Sequence, residues 1–204
     1  GNDKLLGDGL ANALHGGDGN DTIEGGEGGD LEIGDQGSDK LNGDGGSDML
    51  DTNWAEGVPG EQGNIWTVGS DSIDGGDGED YVGYQHMTQS ISATGSTATT
   101  PTSPRDSYSN VEILYLSKAD DVFTSPPSKN FVVHGMAGND NIDISGDPNR
   151  NYNQRAYCEE GVDHVSIDVN YIPDGPAGPT IPPGSEIMED GTVGCESTTY
   201  RAAR

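Results

Sequence analysis

Residues 16–30 read GGDGNDTIEGGEGGD, and no other stretch restricts the fold of this chain so sharply. Ordering glycine costs more backbone entropy than ordering any other residue. Crowded carboxylates repel one another unless a counter-charge meets them. A segment that does both either stays unfolded or is built around a cation. Periodicity points to the second. Aligned on glycine, the first quarter of the chain divides into nine-residue units: a partial GNDKLL (1–6), then GDGLANALH (7–15), GGDGNDTIE (16–24), GGEGGDLEI (25–33), GDQGSDKLN (34–42) and GDGGSDMLD (43–51). After an interruption at 52–65 come WTVGSDSID (66–74) and GGDGEDYVG (75–83). The sixth place holds Asp3, Asn12, Asp21, Asp30, Asp39, Asp48, Asp71 and Asp80. The eighth holds Leu5, Leu14, Ile23, Glu32, Leu41, Leu50, Ile73 and Val82.

Small residues let a loop turn its carbonyls inward. Ca²⁺ takes six to eight hard oxygens, carboxylate and carbonyl mixed. One Asp per unit plus inward carbonyls supplies them once turns stack, and the three residues after each Asp make a short strand with one side chain pointing in. Composition agrees: 33 glycines, 36 Asp and Glu against 9 Lys and Arg, and a formal net charge of −27. Those figures with only 30% hydrophobic residues would suggest disorder if the acids were not periodic. The nine cations are scattered, so no basic surface offers itself to nucleic acid. No stretch approaches 18 apolar residues, so no membrane-spanning helix is expected. The chain opens inside a repeat without Met or a visible signal peptide, and reads as a fragment or processed product.

The units fit the pattern G-G-x-G-x-D-x-U-x, with U aliphatic, and closely resemble the RTX (repeats-in-toxin) nonapeptide, a calcium-binding repeat. The resemblance covers 1–51 and 66–83. It implies an all-β chain, a parallel β-roll or β-solenoid with two nonapeptides per turn and stacked Ca²⁺ ions. Each ion would lie between one motif and the motif two units later. The first gives its Asp and the carbonyls of places 2 and 4; the second gives its Asp and the carbonyls of places 1 and 3. Carried over, one site uses Gly17, Gly19 and Asp21 with Gly34, Gln36 and Asp39. A site on the opposite face uses Gly26, Gly28 and Asp30 with Gly43, Gly45 and Asp48. Asp3 pairs with Asp21, whose motif offers Gly16 and Asp18. Asp39 pairs with Asp71, and Asp48 with Asp80, whose motif offers Gly75 and Asp77. Three departures stand out. Asn12 weakens a site shared with Asp30 by one charge. Glu32 sits where an aliphatic belongs, which suggests a local shift of that unit. Trp66, Thr67 and Val68 replace the opening of the unit carrying Asp71.

The remainder is less regular. Residues 52–65 read as a surface loop extruded between turns, and 84–109, rich in Ser, Thr and Pro, as a long flexible loop. NVEILYL (110–116) reads as a strand buried on both sides. The Asp-x-aliphatic phrase then returns in degenerate form over 110–172, at Asp121 with Phe123, Asp140 with Ile142 and Asp163 with Val165. These three Asp residues extend the list of metal-ligand candidates. Five prolines between 173 and 183 suggest that 173–204 is a coil or cap rather than strand. Cys158 and Cys195 are in no CxxC pair. A mutual disulfide and two free thiols both remain open, and the extracellular look of the chain favours the disulfide. That pair departs from bacterial RTX proteins exported in one step, and leaves room for a periplasmic or eukaryotic oxidising route.

No HExxH, GxSxG or P-loop is present, so no enzyme is expected in this segment. The reading is an extracellular or cell-surface calcium-binding module that folds and stiffens with Ca²⁺, part of a larger adhesive or filament-forming protein. Its partners would be calcium and other copies of itself, or a surface protein or glycan. The alternatives are the repeat region of a secreted protease, lipase or polysaccharide epimerase, and a glycan-binding module using Trp54, Trp66 or tyrosines. In each case the chain is expected to be disordered or molten without Ca²⁺.

Overall fold

The computed structural model describes residues 1–51, 69–100, 105–125, 130–145, 154–169, 185–188 and 197–202. Among these residues there is no helix; every regular element is a strand. The chain winds between two sheets. The wider sheet has twelve strands among the described residues, and its path runs Lys4–Leu6, Thr22–Glu27, Lys40–Gly46, Ser72–Asp74, Asp106–Ser109, Thr97–Thr99, Ser92–Thr94, Val122–Thr124, Asn141–Ile144, His164–Val169 and Ser197–Ala202, with Asp77–Gly78 beside Lys40–Gly46. The narrower sheet has eight: Ala13–His15, Leu31–Ile33, Met49–Asp51, Tyr81–Gly83, Ile113–Tyr115, Phe131–His134, Gln154–Tyr157 and Ser185–Met188. Successive strands of one sheet come from successive turns and run parallel, as in Lys4↔Thr22 and Thr22↔Lys40. This is the β-roll that the nonapeptide period implies.

The register follows from the eighth place. Leu5, Ile23, Leu41 and Ile73 align across the wide sheet. Leu14, Glu32, Leu50, Val82 and Leu114 align across the narrow one. A single inward aliphatic per unit contributes about 1.5–3 kcal/mol, less than the backbone entropy of ordering nine residues. Among the described residues the continuous buried cluster begins only at Leu41 and Leu50 and runs to Val165.

Three expectations are corrected. Glu32 causes no shift of its unit: it pairs in register with Leu14 and Leu50 and is completely buried. Residues 84–109 are not one flexible loop, since they contain Ser92–Thr94, Thr97–Thr99 and Asp106–Ser109. The apolar residues missed by a compositional reading are spaced to face inward, and Tyr84, Met87, Ile91, Ala93, Ala98 and Tyr108 are all buried. The C-terminal segment is not all coil. Ser185–Met188 and Ser197–Ala202 add a parallel strand to each sheet, and both begin after the last proline, Pro183. Residues 52–65, Trp66, Thr67, Val68 and the prolines of 173–183 lie outside the described residues.

The middle of the roll departs from simple winding. After Tyr81–Gly83 the chain enters the wide sheet at Ser92–Thr94, beside Val122–Thr124. It doubles back through antiparallel Thr97–Thr99 to Asp106–Ser109, which lies beside Ser72–Asp74. Three strands therefore fill the wide sheet where the narrow sheet has only Ile113–Tyr115. At roughly 4.8 Å per strand, the wide sheet gains about 10 Å there. Tyr84, Tyr108 and Phe123, all buried, fill the added space.

Candidate metal centre

In the units that open at Gly16, Gly25, Gly34, Gly43 and Gly75 the loops are shaped by two left-handed residues each. At the fourth place φ is 132° in Gly19 and 124° in Gly28, values that side-chain-bearing residues rarely adopt. The second place uses the milder left-handed region, so it tolerates Asp35 at 66° and Asp44 at 65°. Met136 with Gly138, and Glu159 with Gly161, repeat this signature. They mark GMAGNDNID (135–143) and CEEGVDHVS (158–166) as two further units. The second begins at Cys158, five residues before the Asp163 that opens the Asp-x-aliphatic phrase in the sequence.

The sixth-place carboxylates form ladders. From the second turn on, Oδ1 accepts from the backbone N–H of the counterpart one turn earlier. Asp3 N donates to Asp21, Asp21 N to Asp39 and Asp39 N to Asp71, at 2.7–2.9 Å. On the other side Asn12 N donates to Asp30, Asp30 N to Asp48 and Asp48 N to Asp80, at 2.8–2.9 Å. Asp121 N donates to Asp140 and Asp140 N to Asp163, both at 2.8 Å. The structure thus brings together every Asp pair drawn from the repeat, including Asp39 with Asp71, and unites Asp140 with Asp163 across an irregular spacing.

The second oxygen is left over. Oδ2 of Asp21, Asp30, Asp39, Asp48, Asp71, Asp80 and Asp140 is buried and has no hydrogen-bond partner. In Asp21, Asp30, Asp39, Asp48, Asp80 and Asp140 it lies over the glycine that opens its own unit. A Cβ placed on Gly16, Gly25, Gly34, Gly75 or Gly135 would come within 2.5–2.7 Å of it, which is why glycine is needed there. Main-chain oxygens share the space: Gly34 O lies 3.0 Å from the same point at Gly16, and Cys158 O 3.0 Å from that at Gly135. The third-place carbonyls are partly used. Gln36 O accepts from Gly19 N and Gly45 O from Gly28 N, both at 2.7 Å, and Glu160 O from Gly138 N at 2.9 Å; each retains a second lone pair. Asp77 lies in the short strand paired with Gly45–Gly46. Asp3 is largely exposed at the first turn, and Asp18 O accepts from the N-terminal amine.

The electrostatics match. Burial first, with neighbouring carboxylates adding to it, pushes Asp71 and Asp140 up to about 8 and Asp39 and Asp80 up to about 6. Asp48 is raised by the same causes. Hydrogen bonds from the preceding turn offset this only in part. Glu32 is pushed to about 8 by burial and then by the Asp48 charge. Unpartnered buried carboxylate oxygens, raised in this way and set beside carbonyls, are groups that a hard cation would neutralise. Among the described residues no three His, Cys, Asp or Glu side chains form a metal-holding group. The donor set is one or two carboxylates with carbonyls, which suits Ca²⁺ and not zinc.

Three members of the ladders differ. Asp121, expected as a ligand, has both oxygens taken: Oδ1 accepts from Ile91 N at 2.7 Å and from Ser117 Oγ, and Oδ2 from Ser117 N at 2.8 Å. Asp106 and Glu112 escaped the sequence reading. Asp106 accepts from Asp71 N at 3.0 Å, and its Oδ2 accepts from the Tyr84 hydroxyl at 3.2 Å. Glu112 accepts from Asp80 N at 3.2 Å. Asp106 carried a signal, an Asp followed two residues later by inward-facing Tyr108; Glu112 sits two residues before Leu114. Cys158 is completely buried and is not a free thiol. Cys195 lies outside the described residues.

Stacked nonapeptide turns with a buried Asp ladder define a β-roll of the cation-binding type. Residues 1–32, 33–54 and 67–83 match the family model of the RTX calcium-binding nonapeptide repeat, in four copies. The first 83 residues therefore carry RTX repeats, and the matched segments make up roughly a third of the chain. Comparison with curated proteins gives no match. Among the described residues no helix is long and apolar enough to cross a membrane.

Proposed function

We propose that this chain is a non-catalytic, extracellular calcium-folded module of a larger surface, adhesive or filament-forming protein. The observation that carries this reading is the row of buried, unpartnered Oδ2 atoms of Asp21, Asp30, Asp39, Asp48, Asp80 and Asp140, lying over glycines and beside carbonyls. Ions would be held by Asp21 with Asp39, Asp30 with Asp48, Asp39 with Asp71 and Asp48 with Asp80. Asp3 would add an exposed site at the first turn. Beyond the family match, Asp140 and Asp163 would hold an ion with the carbonyls around Gly135 and Cys158. Bound Ca²⁺ supplies positive charge between turns. The chain's own groups do the rest: the Asp Oδ1 atoms tie each turn to the next, the glycines admit the carboxylate, and the eighth-place aliphatics exclude water.

Metal binding is then part of folding, because the site does not exist in the unfolded chain. Weak extracellular calcium modules work at ~10⁻⁴–10⁻³ M, so the repeats would fold outside the cell and not in cytosol. A Cys158–Cys195 bridge would tether the last strands to the roll. For partners, the outer face of the narrow sheet carries stacked Tyr115, His134 and Tyr157, with centroids 4.4–4.5 Å apart. They adjoin a groove of about 300 Å³ lined by Ser47, Met49, Tyr81, Gln85, Tyr115 and Met136. This is the described surface best suited to a glycan or protein contact.

The test is a far-UV circular dichroism titration of chelator-treated protein. Ca²⁺ should add β-signal cooperatively, and Mg²⁺ at equal concentration should not. Identical spectra in EGTA and in millimolar Ca²⁺ would sink the reading.

A further inference from the structure

Glu32 stands where every other described unit among residues 1–83 places an aliphatic. It lies between Leu14 and Leu50 in parallel register and is fully buried; neither carboxylate oxygen makes a full hydrogen bond, and the nearby Asn42 backbone offsets its burial only in part. A charge left thus in an apolar core is strongly unfavourable unless something neutralises it. Its direction is informative. A Cβ on Gly25 would lie 2.5 Å from Asp30 Oδ2, 2.8 Å from Glu32 Oε1 and 3.1 Å from Gly43 O. Of the glycines at the first place of a unit, only Gly25 has a second side-chain carboxylate among its nearest atoms. Gly16, Gly34 and Gly75 meet only their own Asp and main-chain oxygens. Glu32 therefore leaves the aliphatic row and turns toward the Asp30 carboxylate and a carbonyl of the next turn.

We infer that Glu32 is an additional, core-side ligand of the cation held at Asp30, making this site richer by one carboxylate than its neighbours. The inference rests on the calcium-binding reading above and deepens it. The Gly43 carbonyl beside Glu32 belongs to the unit of Asp48, so the ion in question is the one shared by Asp30 and Asp48, and Glu32 would be its third carboxylate. Across the units this site becomes the tightest, and the first filled as Ca²⁺ rises. An oxygen donor on the core side also places the ion's charge where Glu32 would otherwise stand alone between two leucines.

The experiment is calorimetric titration of the full 204-residue chain with Ca²⁺, for the wild type, Glu32→Leu and Glu32→Gln. Glu32→Leu restores the aliphatic and keeps the register, so it should fold at least as well; Glu32→Gln keeps the shape and removes the charge. The inference expects the tightest binding event to weaken tenfold or more, or to vanish from the stoichiometry, in both variants, with the weaker events unchanged. Unchanged affinity and stoichiometry in both, with Glu32→Leu simply more heat-stable, would overturn it and leave Glu32 a buried misfit. Absence of any Ca²⁺ uptake by the wild type would instead overturn the calcium reading itself, so the two failures are distinct.

Discussion

The first 51 residues and the described part of 84–133 belong to the same two-sheet roll but stabilise it in opposite ways. In the first, Leu5 and Leu14 are only half-buried, the following turns bury little more than Ile23, Glu32, Leu41 and Leu50, and Asp21, Asp30, Asp39 and Asp48 keep an unpartnered oxygen. In the second, Tyr84, Phe123 and Phe131 are buried, the two phenylalanine rings stack at 5.4 Å, and the ladder carboxylates are met by protein groups. The Tyr84 hydroxyl reaches Asp106, and Ser117 reaches Asp121. On the proposed reading, the same architecture is closed by a cation in one region and by a core in the other. Which one is used depends on whether a hydroxyl or an N–H has replaced the missing charge. Disorder without Ca²⁺ is therefore expected of the N-terminal repeats, and retained structure of the middle, which the experiments below test.

Substitutions separate the two regions by size of effect. Phe123→Ala empties the central core and should cost about 3–5 kcal/mol; denaturant unfolding should show the loss with or without Ca²⁺. The next lever is pH. Asp71 and Asp140, near 3.8 unfolded, are held near 8 when folded without metal. A raised folded pKa gives stability that is full below the unfolded value and lost as pH rises through the folded one. Metal-free protein should therefore gain β-structure as pH falls from about 8 to about 4, and saturating Ca²⁺ should flatten that dependence in circular dichroism. Tyr84→Phe strands Asp106 Oδ2 in the interior and should cost about 1–3 kcal/mol, equally in EGTA and Ca²⁺; a cost seen only in Ca²⁺ would blur the comparison. Asp39→Asn removes one charge from two adjoining sites. It should weaken Ca²⁺ binding about tenfold, or ~1.4 kcal/mol, by calorimetry, and leave the melting of the EGTA form unchanged. Leu6→Ser, at a side chain 60% exposed, should shift stability by less than about 0.5 kcal/mol.

The period made the N-terminal half legible. Gly at the first and fourth places, Asp at the sixth and an aliphatic at the eighth determine strand, loop and register, and the Asp pairs follow from counting two units. Legibility ended where the chemistry changed hands. Asp106 and Glu112 hold ladder positions, but Tyr108 replaces the aliphatic after one and Glu replaces Asp in the other. The Ser/Thr-rich composition of 84–109 hid buried Tyr84, Met87, Ile91 and Tyr108, since inward spacing, not average polarity, makes a strand here. The CEEGVDHVS unit was obscured because Cys158 and Glu159 stand where Gly-Gly is usual. Glu159 adopts φ 60° regardless, a conformation that residue identity alone does not announce.

The most direct test is hydrogen–deuterium exchange resolved by segment, in EGTA and in millimolar Ca²⁺. The account predicts that amides of 1–51 exchange rapidly in EGTA and become protected with Ca²⁺, whereas those of Ile113–Tyr115, Val122–Thr124 and Phe131–His134 are protected in both. Uniform protection without Ca²⁺, or uniform loss of it along the chain, would contradict the division between a metal-closed and a core-closed roll.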